Sequence, residues 1–123
     1  MIVGIGVDLV DVPRFERAAS RTPRLLDRLF AQSEQKTDAR TLPLRSLAAR
    51  FAAKEALIKA LGDSDGVRWH DIRIVSNDLR NPSFELAGRV ADIAAERGIG
   101  TFHLSMSHDA DLAIAYVIAE GAA

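Results

Sequence analysis

Asp8 is the first residue whose chemistry does not match its neighbours. It closes the run Gly4-Ile5-Gly6-Val7-Asp8 inside a stretch that is otherwise apolar and β-branched. An ionised carboxylate there is costly unless something positive meets it. Two readings stand: strand alternation turns Asp8 to solvent or to a helix start at Asp11, or the carboxylate serves a cation. The glycines at 4 and 6 suggest a phosphate-binding loop only weakly, because the third glycine of that fingerprint is missing. A second group lies mid-chain, where Lys54, Glu55 and Lys59 interrupt a helical run that is apolar or small nearly all round. Glu55 and Lys59 can form an ordinary intrahelical pair, worth about 0.2–0.5 kcal/mol, with Lys54 snorkelling beside them. Alternatively, one carboxylate and two amines face a polyanion. Carboxylate oxygens suit magnesium, which shares its other positions with water and substrate phosphate, and lysine suits phosphate as a point charge.

Two further patterns stand out. His103-Leu104-Ser105-Met106-Ser107-His108-Asp109 alternates, with His103, Ser105 and Ser107 opposite Phe102, Leu104 and Met106. That is a half-buried strand facing either bulk water or a cleft. His108 and Asp109 fall at its end, where binding groups and turns both occur. No serine has the Gly-x-Ser-x-Gly setting of a nucleophile elbow, which argues against a hydrolase triad. Arg14, Arg17, Arg21, Arg24 and Arg28 recur every three or four residues, a single basic stripe if the segment is one helix. The stripe is either a solvated face or a docking face for an acidic partner, and Pro23 interrupts it.

These residues need elements to position them. Residues 2–10 read as a buried strand, and Asp11 with Pro13 as a helix start. The apolar phase of 15–30 predicts two short helices, or one kinked at Pro23. Residues 32–45 are polar and aperiodic, and read as a loop or a poorly ordered segment. Ser46 is expected to cap a long helix that runs to Leu61 and stops at Gly62, followed by a turn-rich 62–66. That helix carries an apolar stripe (Leu47, Phe51, Ile58, Leu61) and a smooth alanine face (Ala49, Ala53, Ala56, Ala60). A short hairpin is expected from 72–76 and 83–87 across 77–82, a helix over 88–97, and strands over 101–108 and 112–119. The fold class is α+β, one domain over 1–123, with a largely antiparallel sheet packed by a long central helix and shorter helices.

Composition narrows the function classes. A chain of 123 residues can bury a core without staples. It has no cysteine, which excludes disulfides, thiolate metal sites and a cysteine nucleophile, and suits a reducing cytosol. Residues 1–10 lack a basic leader, and no apolar run is long enough to span a bilayer. With net charge −1, overall electrostatics point to no nucleic-acid or membrane partner. The expectation is a soluble, cytoplasmic domain.

Three motifs line up in order: Gly-Ile-Gly-Val-Asp8, Arg50-Phe-Ala-Ala-Lys54-Glu55-Ala-Leu-Ile-Lys59-Ala, and His103-Leu-Ser-Met-Ser-His108. Together they resemble the holo-acyl-carrier-protein synthase family of phosphopantetheinyl transferases, over nearly the whole chain. The resemblance implies the 4′-phosphopantetheinyl transferase fold and transfer of the 4′-phosphopantetheine of coenzyme A to a serine of apo-acyl carrier protein. It implies Asp8 and Glu55 as ligands of Mg2+, and Lys59 as a phosphate contact that neutralises charge in the transition state. Arg50, Lys54, His103 and Ser107 would line the coenzyme site, and His108 and Asp109 would order water or substrate. The general base stays open between Glu55 and a metal-bound water. Members of this short type resemble a trimer with active sites at subunit interfaces, and the alanine face of the central helix is compatible with that. Arg14, Arg17 and Arg21 would dock the acidic carrier. The 62–66 loop lacks the family's compact Gly-Thr-Gly, and 32–45 departs from it beyond Ser33-Glu34. A magnesium-dependent phosphohydrolase and a nucleotide-binding or adaptor module remain the alternatives.

Overall fold

The computed structural model describes residues 1–37, 40–76 and 81–123. Its sheet grows from the alternating C-terminal strands. β6 (Ile99–Asp109) and β7 (Leu112–Gly121) form a hairpin, and β1 (Ile2–Asp11) pairs antiparallel with the other edge of β7, giving the order β1-β7-β6. One face of this sheet is covered by the long helix α4 (Leu44–Leu61). Ala113, Ala115, Val117 and Ala119 of β7 are buried, as are Ala49, Ala53, Ala56 and Ala60 of α4. Small residues on both sides let helix and sheet approach closely. Gly4 and Gly6 belong to this contact: a Cβ at Gly4 would stand 2.0 Å from the Ala60 carbonyl oxygen, and one at Gly6 1.8 Å from that of Ala56. The Gly-x-Gly pair therefore serves packing, not a phosphate loop. The alanine face is likewise consumed inside the chain, so it is not an oligomer surface.

On its opposite side α4 packs against α1 (Val12–Arg21) and meets α2 (Leu25–Leu29), the four-residue α3 (Gln32–Gln35) and a 3-10 turn at Trp69–Asp71 through Lys54 and Phe51. Asp11 caps α1, accepting from the Arg14 backbone N–H at 3.0 Å, with Pro13 in the first turn. Pro23 separates α1 from α2, so the segment is two helices. Gly62 ends α4 in the left-handed region at φ +83°.

Several expectations are corrected. The stretch 32–45 contains α3, the short ladder β2 (Lys36–Thr37) with β3 (Arg40–Thr41), and the first residues of α4. Helix α4 begins before Ser46, with Pro43 at its N-cap. Proline's fixed φ suits a helix entry, where a missing N–H costs nothing. β1 is not buried on both faces: Ile2, Ile5, Val7 and Leu9 are exposed because helices cover only one side of the sheet. β4 (Ile72–Ser76) and β5 (Pro82–Leu86) form the expected hairpin as a separate sheet. Of its expected turn across 77–82, residues 77–80 lie outside the described residues. α5 (Gly88–Glu96) turns Val90, Ile93 and Ala94 inward, as its period predicts.

Candidate active site

Register decides where Asp8 goes. It pairs with Ala115, a buried residue on the helix-facing side of the sheet, so Asp8 looks towards α4 rather than into solvent. There it meets Lys59, whose Nζ donates to Asp8 Oδ1 at 3.2 Å and to the Val7 carbonyl at 2.9 Å. The Asp8 side chain is 18% exposed and that of Lys59 54%. Lys59 thus pairs across to β1 and not with Glu55 along its own helix. Glu55, one turn earlier on α4, is half-buried. Burial pushes its carboxyl above the ordinary glutamate value, the charge of Asp8 adds to this, and Lys59 opposes it. Two carboxylates and an ammonium, from elements some fifty residues apart, therefore meet at one place.

They border a cavity of about 700 Å³, whose other walls include Arg14, Leu29, Phe51 and Trp69. Phe51 sits between Phe15 and Trp69 with its ring tilted against both, the centroids 5.7 and 5.5 Å away. Among the described residues no group of three or more His, Cys, Asp or Glu side chains stands together. Asp8 and Glu55 nevertheless suit a hard divalent cation: both are oxygen donors, and Mg2+ is commonly bound by one or two carboxylates plus water and phosphate. Their mutual repulsion is what such a cation would relieve.

Other expected site residues stand elsewhere. Lys54 neither snorkels nor faces the cavity. It is fully buried, and its Nζ donates to the Leu29 carbonyl at 2.6 Å, Glu34 Oε1 at 3.0 Å and the Trp69 carbonyl at 3.2 Å. All three protons are used, so the expected coenzyme contact is corrected to a buried internal one. Burial depresses its pKa, and Glu34 opposes that. Arg50 lines a different cleft, with Ser33, Arg73 and Glu85. His103 lies on the outer face of the sheet, 3.1 Å from Glu120, and Ser107 is exposed on the same face. Within one chain, Arg50, His103 and Ser107 are thus not gathered around Asp8, Glu55 and Lys59. His108 and Asp109 are exposed at the end of β6. Asp109 is in register with Leu112, which lines the cavity.

Arg14, Arg17 and Arg21 are exposed along α1. Arg14 reaches the cavity, and the other two line a shallow groove with Glu16 and Leu44. Arg24 and Arg28 follow the break at Pro23 and do not continue the stripe on one helix. Sequence reasoning missed Glu34 and Trp69. The Glu34 signal was a glutamate three residues into a helix, accepting from the Ala31 N–H at 2.9 Å. Trp69 carried no spacing signal.

Residues 4–117 match the family model of the 4′-phosphopantetheinyl transferase superfamily, and the chain belongs to that superfamily. Its relatives narrow this further. A holo-[acyl-carrier-protein] synthase of Leifsonia xyli is 61% identical over 120 residues, covering 98% of each chain. The crystal structure of the Neisseria meningitidis holo-[acyl-carrier-protein] synthase is similar at 34% identity and TM-score 0.83, covering 98% of this chain and 99% of that one. The Chronobacterium ammoniagenes ACPS–CoA complex is similar at 30% identity and TM-score 0.83, covering 98% of both chains.

Proposed function

We propose that Asp8, Glu55 and Lys59 form the reacting centre of a holo-acyl-carrier-protein synthase. The chain transfers the 4′-phosphopantetheine group of coenzyme A to a serine of apo-acyl carrier protein, in support of fatty acid biosynthesis. The products are holo-acyl carrier protein and adenosine 3′,5′-bisphosphate. The observation that carries the site assignment is the approach of Lys59 to Asp8 across α4 and β1, beside a Glu55 carboxyl raised by burial and by Asp8. Phosphoryl transfer asks mainly for positioning and for stabilisation of charge. Mg2+ held by Asp8 and Glu55 would neutralise the pyrophosphate of coenzyme A. Lys59, more than half exposed, is free to leave Asp8 for a phosphate oxygen. Glu55 is the candidate to receive the serine proton. His108 and Asp109 would order water or the carrier at the mouth of the site, and Arg14, Arg17 and Arg21 would dock the acidic carrier.

Arg50, His103 and Ser107 are read as coenzyme contacts completed by a second copy of the chain. The outer sheet face supports this: Ile5, Val7, Leu9 and Tyr116 are exposed together, with His103 and Ser107 along their β6 side. A homotrimer with active sites between copies would cover the apolar part and bring the polar part to a neighbour's cavity. The whole of 1–123 is taken as one transferase domain working in the cytoplasm, and no described helix is long and apolar enough to cross a membrane. The test is a transfer assay on chelator-treated protein. Activity should vanish and return with added Mg2+. Full activity without divalent cation would overturn the metal assignment.

A further inference from the structure

Lys54 is a buried ammonium with no place in the reacting centre, and it lies 4.9 Å from the centre of the Phe30 ring. Its partner Glu34 is also buried, and accepts from the Ala31 N–H at 2.9 Å and the Ile74 N–H at 3.2 Å. Five segments therefore meet at one ion pair: α4, the end of α2, α3, the 3-10 turn and β4. Such a pair is a poor device for stability alone, since apolar residues of similar volume commonly do as well. What it provides is directional anchoring. Two of the three acceptors of Lys54 are the main-chain carbonyls of Leu29 and Trp69, and both residues line the cavity beside Glu55 and Lys59. Lys54 directly precedes Glu55, so the helix that presents the carboxylate also holds the opposite wall by its backbone.

We propose that Lys54, through its bonds to the Leu29 and Trp69 carbonyls, is a positioning residue that sets how far the Leu29–Trp69 wall stands from α4, and so the fit of the carrier protein at the cavity. The inference rests on the reading of α1 as the carrier's docking helix; Arg14 of that helix lines the same cavity.

The test uses the neutral double variant Lys54→Met/Glu34→Gln, which leaves no unpaired buried charge. Steady-state kinetics with each substrate varied in turn should show the KM for apo-carrier rising about tenfold, with kcat and the KM for coenzyme A within about twofold. Trp69, the chain's one tryptophan, should become more open to acrylamide quenching. Glu34→Gln alone keeps both carbonyl bonds of Lys54, so it should lower the melting midpoint without moving the carrier KM or the quenching. Should the double variant fail to fold, Lys54→Arg carries the same test, because a forked cation keeps the charge but displaces the two carbonyls. An unchanged carrier KM in the double variant, or in Lys54→Arg if that takes its place, would overturn the proposal. Equal losses on both substrates, or a Glu34→Gln effect as large as the double's, would do the same. Failure of the docking reading shows separately, as an unchanged carrier KM in Arg14→Glu/Arg21→Glu.

Discussion

At Glu55 the carboxyl is raised by burial first and by Asp8 second, against the pull of Lys59. A raised folded-state value makes the protonated form the stabilising one. That contribution is complete below the ordinary glutamate value of about 4.3 and is lost as pH rises through the higher folded value. In chelator, Glu55→Gln should therefore melt above wild type at pH 7 and level with it below about pH 4. Added Mg2+ should raise the wild-type midpoint and leave the variant nearly unmoved. The same substitution, and Asp8→Asn, should nearly abolish transfer with the fold intact by circular dichroism. Near-normal turnover from both in chelator-treated buffer would contradict the assignment. Lys59→Ala should lower kcat about a hundredfold, on the order of 3 kcal/mol, with little change in stability. Lys59→Arg should restore little, since a planar fork replaces a point charge; a fully active arginine variant would make Lys59 a mere counter-ion of Asp8.

α4 carries the reacting residues on a helix whose position is fixed from both sides. On the sheet side the glycines allow almost no adjustment, because the neighbouring atoms are main chain. Gly6→Ala should lower the unfolding free energy by about 3 kcal/mol, at the upper end of ordinary overpacking costs, read from denaturant melts. α1 gives a kinetic prediction: Arg14→Glu with Arg21→Glu should raise the KM for the carrier steeply and that for coenzyme A hardly at all. Salt should weaken the wild type more than the variant, because exposed charges are screened over about 8–10 Å. The elements themselves were legible where period and caps agree. Asp11 and Pro13 marked α1, Pro23 its end, Gly62 the end of α4, and strict alternation marked β6. The start of α4 was not, because Ser46 is a better cap by type than Pro43, which occupies the N-cap by virtue of its fixed φ. α3 was hidden by its length, being too short to show a period. Lys54 was misread for a related reason: its acceptors are two backbone carbonyls and a glutamate twenty residues away, and no spacing rule on one helix announces a partner of that kind.

At the scale of the molecule, one sheet face is packed and the other is apolar and open. Ile5, Val7, Leu9, Leu112 and Tyr116 form more exposed apolar surface than scattered single residues would. The apolar run of β1 read as a buried strand, and nothing in it showed that its second face goes uncovered. That depends on how many layers the chain can supply, and among the described residues no helix covers the face that carries Ile5, Val7 and Leu9. Val7→Asp with Tyr116→Asp should convert a trimer in sedimentation equilibrium to monomers, with transfer lost alongside. Monomeric wild-type protein at assay concentration would contradict the shared-site reading. Transfer to a carrier has a direct measurement: coenzyme A and Mg2+ are incubated with the protein, with and without apo-acyl carrier protein, and the carrier's intact mass and the nucleotide product are followed. The carrier should become heavier by one phosphopantetheine, with an equal amount of adenosine 3′,5′-bisphosphate formed only when the carrier is present. Consumption of coenzyme A without carrier, or an unmodified carrier after complete incubation, would contradict a carrier transferase.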